Sequence, residues 1–166
     1  MDASQEFTAE IRELAAQPTV CVRTQAPTSS LSDIFSRFPG AVVARIQEGG
    51  AEVAGSLYAR YHAFSPETVD VEVGIPVGAP IAGLPAIGDV AAGEVGAGEL
   101  PAGQIAFTVH RGSYDGLSAT YDRLHEWIHA AGLSEGAAPW EAYVDDPGDM
   151  SDMTNVRTEV SWPLEA

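Results

Sequence analysis

His125, Glu126 and His129, in the run HEWIH, spell H-E-x-x-H. On a helix, residues i and i+4 share a face, so two imidazoles at this spacing could hold a zinc ion with the glutamate as general base. The rhythm continues through Gly132 to Glu135, which stands where the longer zinc pattern has a histidine. A second grouping is WEAY. In a strand, residues two apart project together, so Glu141 and Tyr143 share a face and Trp140 points the other way. A carboxylate among aromatic rings costs several kcal/mol to desolvate unless neutralised, and each ring face adds about 0.5–2 kcal/mol toward a bound cation.

Context weighs against a metal. Only 37 residues follow His129, and they read as two strands rather than a scaffold for a third ligand. His125 and His129 are therefore expected on a solvated polar face, with no metal site and no cofactor. His62 and His110 stand isolated near strand ends. The glycine-rich runs GAPIAGLPAIG and AAGEVGAGEL lack the P-loop lysine and the dinucleotide spacing, and no G-x-S-x-G elbow occurs. Asp145–Asp149 lacks the calcium-loop pattern and reads as a solvated turn. The single cysteine, Cys21, sits in an alternating segment and reads as a small buried side chain.

The elements that must position these residues come from a duplicated pattern. VDVEVGIPV (Val69–Val77) and VRTEVSWPL (Val156–Leu164) share Val, Glu, Val and Pro at matching places, 87 positions apart. Glu13-Leu14 and Glu99-Leu100 lie 86 apart, and ARY (Ala59–Tyr61) and EAY (Glu141–Tyr143) lie 82 apart. Tyr61 thus matches Tyr143, while Ala59 stands where Glu141 does, leaving the acid unmatched. Each unit reads as strand, strand, helix and two more strands, an α+β pattern with a pseudo-twofold repeat. The units are expected at about 5–77 and 89–165, joined by an uncharged Gly/Pro/Ala linker at 78–88. In the second unit the strands are expected at about 89–100, 103–110, 139–145 and 155–162. Its helix is expected over Ser113–Ala131, with Ser113 as N-cap, a stripe of Leu117, Tyr121, Leu124 and Ile128, and Gly132 as the stop. The first-unit helix, Ser29–Glu48, contains Phe38-Pro39-Gly40, and proline there should kink or restart it.

The composition bounds the partners. The chain has 166 residues, 45% of them hydrophobic, and a formal charge of −16; all eight basic side chains are arginine. That balance opposes a phosphate backbone and argues against a direct nucleic-acid partner. The N-terminus lacks a secretory pattern and no stretch reaches the ~18 apolar residues of a membrane span. No membrane association is expected, and a cytoplasmic location is the default.

The run LPAGQIAFTVHRGSYDGLSATYDRLHEWIHAAGL, followed by WEAYVDDP and TEVSWPL, resembles the second half of the GyrI-like domain, and ARYHAFSPETVDVEVGIPV resembles its first half. The resemblance covers about residues 5–165. It implies tandem strand-helix-strand-strand units with antiparallel sheets, one main helix per unit and a small-molecule cleft between the units. It further implies that Glu141 anchors a hydrophobic, aromatic or cationic ligand. Tyr61 and Tyr143 would supply walls and hydroxyls, and Tyr114, Trp140, Trp162 and Phe64 are candidate lining residues; Tyr58 could extend the walls. Two alternatives stay open by the same resemblance. One is a hydrolase of cyclopropanoid genotoxins with Glu141 as general base and Tyr143 assisting; the other is a gyrase-inhibitor-like interaction protein. Glu141 pairing with Arg60 or Arg157 on a sheet surface would remove the site altogether.

Overall fold

In the computed structural model, which describes residues 7–145 and 156–165, the chain runs β1 (Glu10–Leu14), β2 (Gln17–Pro27), α1 (Leu31–Gly49), β3 (Tyr58–Phe64), β4 (Thr68–Pro76), β5 (Val95–Leu100), β6 (Gly103–Arg111), α2 (Leu117–Ala130), β7 (Trp140–Tyr143) and β8 (Arg157–Pro163). This is a mixed α+β fold with antiparallel strand pairing throughout these strands. It divides into two units, Ala15–Ala102 and Met1–Leu14 with Gly103–Ala166. We call these the first and second units.

The internal repeat marks the middle of each unit. In the first, β4 pairs with β3 on one side and β2 on the other, and β2 then pairs with β5. In the second, β8 pairs with β7 and β6, and β6 then pairs with β1. The two matching nine-residue stretches are thus the core of β4 and β8, and the Glu-Leu pairs close β1 and β5. The division differs from the expected boundaries at 77 and 89, because β5 joins β2 and β1 joins β6. Hydrogen bonding to a distant strand decides membership here, and composition carries no sign of it. The expected linker is also partly built in: Ile81 is buried, and its side chain lies where a Cβ on Gly49 would be.

Each helix buries one stripe. In α1 this is Ile34, Phe38, Val42 and Ile46, and α1 packs on β2 and β4. Pro39 lies inside α1, which runs unbroken from Leu31 to Gly49. The expected restart does not occur, so packing of that stripe outweighs an interior proline's cost of about 3 kcal/mol. In α2 the stripe is Leu117, Leu124 and Ile128, seated on Ala106 and Val160 with Tyr121 and Trp162 against them. Ser113 does not cap α2: a short turn at Tyr114–Gly116 intervenes, the N-cap is Gly116, and neither makes a side-chain capping bond. The acidic run from Asp146 to Asp149, and Asn155, lie outside the described residues.

Candidate functional site

Strand register places Glu141. It pairs with Val160, which pairs with Thr108; Tyr143 pairs with Thr158, which pairs with His110. Directly opposed residues in antiparallel strands share a face. Val160 belongs to the cluster under α2, so Glu141 and Tyr143 stand on the helix-covered face of this sheet. Trp140, one residue earlier, pairs with Ser161 on the opposite face and is buried there.

Glu141 is 5% exposed. Tyr121 of α2 donates its hydroxyl to Oε1 at 3.0 Å, and Tyr143 donates to Oε2 at 2.6 Å. Around this core, Tyr114 meets Tyr143 edge-to-face at 5.8 Å, and Tyr121 meets Trp162 edge-to-face at 5.8 Å. Burial raises the Glu141 carboxyl above its ordinary value, and the two tyrosine hydrogen bonds, with a smaller electrostatic pull from His110, only partly offset it. No arginine neutralises Glu141 among the described residues: Arg157 forks onto Asp145 at 3.0 and 3.1 Å, and Arg60 donates to the Glu99 carbonyl. Nearby on the same face, the Thr158 hydroxyl is buried with no hydrogen-bond partner among the described residues. His110, opposite Thr158, is held by Thr120 at Nδ1 (2.7 Å) and by the Ser113 carbonyl at Nε2 (2.8 Å).

The first unit holds a contrasting carboxylate. Glu72 is 4% exposed on β4, hydrogen-bonded by the Tyr58 hydroxyl and by His62 Nε2 at 2.9 Å. Burial pushes its carboxyl up, but the His62 and Tyr58 hydrogen bonds outweigh that and leave it below its ordinary value. The Tyr58 oxygen also accepts from the Thr19 hydroxyl at 3.0 Å, and Cys21 beside them is buried, its thiol pushed up to about 12 by burial and by Glu72. Glu72 is therefore hydrogen-bonded by an imidazole, whereas among the described residues Glu141 is hydrogen-bonded by tyrosine hydroxyls and only pulled electrostatically by His110.

The structure brings Glu141, Tyr143, Tyr114 and Trp162 into one aromatic network. Tyr61 and Phe64 form their own edge-to-face pair at 5.8 Å on β3, where Phe64 is 62% exposed. Tyr121 was legible only as a member of the apolar stripe; the signal that sets it apart is a phenol head among Leu117, Leu124 and Ile128. Glu72 served only as a repeat marker. His125 and His129 are exposed as expected, yet both also hydrogen-bond Glu135.

A model of the GyrI-like small molecule binding domain matches residues 8–165. The crystal structure of the EcmrR C-terminal domain is similar at 22% identity and a TM-score of 0.76, with 96% of this chain and 98% of that chain covered. In the EcmrR–DNA complex the similarity is 21% identity at a TM-score of 0.76, and the match covers 96% of this chain but spans only 57% of that chain. The structure of SAV2435 bound to tetraphenylphosphonium is 16% identical with a TM-score of 0.62, covering 98% of this chain and 95% of that one. No curated protein sequence matches the chain.

Proposed function

The chain belongs to the GyrI-like small-molecule-binding domain family, and from that premise we propose that Glu141 anchors an aromatic ligand carrying positive charge. The observation that carries this reading is the contrast between two buried acids: Glu72 is hydrogen-bonded by His62, whereas among the described residues the hydrogen-bond donors to Glu141 are tyrosine hydroxyls. A cation reaching Glu141 would supply the neutralisation that the fold withholds, and the rings of Tyr143, Tyr121, Tyr114 and Trp162 would add cation–π attraction. The Thr158 hydroxyl, without a hydrogen-bond partner among the described residues, offers such a ligand a polar contact on the same face.

Tetraphenylphosphonium, the ligand bound to SAV2435 in its structure, has the required chemistry and serves as the probe. Titration followed by calorimetry and tryptophan quenching should show saturable binding, weakened at least tenfold in Glu141→Gln. Equal affinity in wild type and variant removes Glu141 from the role.

A second reading uses the same acid catalytically. A carboxyl raised by burial and flanked by two phenols is a stronger base than an exposed one and suits general-base chemistry. Glu141 would take a proton from water as its oxygen adds to a strained cyclopropane carbon. The ring C–C bond breaks, its electron pair passes into a conjugated carbonyl as an enolate to which Tyr143 turns its hydroxyl from Glu141, and the enolate takes up the proton that Glu141 holds. Mass spectrometry of a cyclopropanoid after incubation separates the readings: a water adduct that requires Glu141 indicates turnover, and recovered substrate indicates binding alone.

A further inference from the structure

We propose that His125, His129 and Glu135 form a surface site for a divalent transition-metal ion of the zinc class. The first two residues follow from α2, whose i, i+4 spacing stacks their rings on one face with centroids 4.4 Å apart. The third is delivered by the chain beyond the helix. Gly132, at φ +79°, reverses the backbone, and Leu133 N–H bonds back to the Ile128 carbonyl at 3.0 Å. Glu135 then bridges to Leu164, flanked by Gly136 N–H on the Pro163 carbonyl at 2.7 Å and Glu165 N–H on the Ser134 carbonyl at 2.9 Å. The backbone that carries Glu135 is thus fixed by pairing, and its carboxylate reaches the histidines from that fixed point.

All three side chains aim at one point. His125 Nδ1 hydrogen-bonds one oxygen of Glu135, His129 Nε2 lies 2.8 Å from the other, and the donor atoms all stand within 4.8 Å of one another. Two imidazole nitrogens and a carboxylate are a three-ligand zinc set that leaves a fourth position open to water. Bonds of about 2.0–2.1 Å require donors on the order of 3.3 Å apart. The histidines, 53% and 54% exposed, have room to turn into that arrangement. Trp162 supports the site from behind: its ring lies 6.2 Å from that of His125, and its Nε1 donates to the carbonyl of Gly136, next to Glu135. Glu126 stands about 100° around the helix from His125 and takes no part in the cluster.

Zinc titration of the chelator-stripped, dialysed full chain by calorimetry tests the proposal. The expected result is one equivalent bound, a raised melting temperature, and at least tenfold weaker binding in both His129→Ala and Glu135→Gln. Absence of binding, or unchanged affinity in the His125→Ala/His129→Ala double variant, overturns it. Because a variant could fold poorly, the wild type supplies a second readout. Added Co²⁺ should broaden the ring-proton resonances of His125 and His129 before those of His62 and His110, and the reverse order also overturns the site.

Discussion

Tyr143 donates to Oε2 of Glu141 across 2.6 Å, and the two residues are i and i+2 on one short strand. A tyrosine hydroxyl reaching its own neighbour on the sheet face keeps one carboxylate oxygen occupied, while Tyr121 of α2 holds the other at 3.0 Å. Both donors are neutral. Among the described residues, hydrogen bonding to Glu141 therefore comes from neutral hydroxyls, and His110 adds only a weaker electrostatic pull on the carboxylate.

Cation binding should be pH-dependent with a defined sign. The Glu141 carboxyl lies above its ordinary value, so acidification protonates it earlier than an exposed glutamate and removes the anionic anchor. Affinity for tetraphenylphosphonium should fall as pH drops through that raised value, by tenfold or more. This matches the roughly 1.5–3 kcal/mol of an interaction with a charged group. Calorimetric titrations at stepped pH should give a flat profile for Glu141→Gln; a wild-type profile equally flat would contradict the assignment.

The two buried acids should tilt stability in opposite directions. The folded chain binds the Glu141 proton more tightly than the unfolded chain, so this group's contribution to stability declines as pH rises from the ordinary carboxyl range through the raised value. Glu72 is depressed, so its contribution is present above the unfolded value and lost as pH falls through the folded one. At neutral pH, Glu72→Gln should cost at least about 1.5 kcal/mol, while Glu141→Gln should be neutral or stabilising. Urea unfolding of both variants across pH checks this, and equal losses at neutral pH would count against it.

Removing either tyrosine hydroxyl should leave the acid less satisfied. Tyr121→Phe and Tyr143→Phe each delete one donor to a carboxylate that is 5% exposed. Each should raise the Glu141 carboxyl further and destabilise by about 1–3 kcal/mol at neutral pH, the range for an orphaned buried acceptor. A carbon-13 NMR titration of the Glu141 carboxyl, with parallel urea curves, measures both effects. An unmoved titration in either variant would mean that its hydroxyl does not bear on the acid.

These contrasts also show what the sequence could carry. The α+β pattern was legible because β4 and β8 repeat a marked nine-residue stretch and α2 has a clear stripe. Glu141 and Tyr143 were legible because strand geometry alone puts i and i+2 together. Tyr121 was hidden because a phenol on an apolar stripe looks like core until its partner strand is known. Glu72 was hidden because an acid in an alternating strand reads as a solvent face, and only β2 and β3 on either side reveal Tyr58 and His62 against it. The H-E-x-x-H rhythm through Gly132 to Glu135 marked the three residues, but their convergence also needs the bridge from Glu135 to Leu164, a pairing across the fold that the local pattern does not encode. Pro39 and the exchanged β1 and β5 failed for one reason: non-local packing and pairing outweighed a local preference.

Gly74 tests how tightly the Glu72 cluster is built. A Cβ at this position would lie 2.7 Å from both the Tyr58 hydroxyl and Cys21 Cβ, and 2.8 Å from the Val20 carbonyl oxygen, closer than real Cβ atoms come. The hydroxyl is the movable neighbour, because the other two belong to β2, paired with β4 along this stretch. Gly74→Ala should therefore push Tyr58 off Glu72 and destabilise by about 1–3 kcal/mol, the usual cost of overpacking. If displacement of the hydroxyl is the cause, the cost should shrink in a Tyr58→Phe background, giving a coupling of at least about 0.5 kcal/mol in a double-mutant cycle. The repeat supplies the control. Ser161 occupies the matching position on β8 opposite Trp140, already carries a Cβ, and should accept alanine with a loss below about 1 kcal/mol. Urea unfolding of the four cycle members and Ser161→Ala measures all of these, and strict additivity of the Gly74 and Tyr58 changes would show that the glycine is required by the backbone of β2 rather than by the tyrosine.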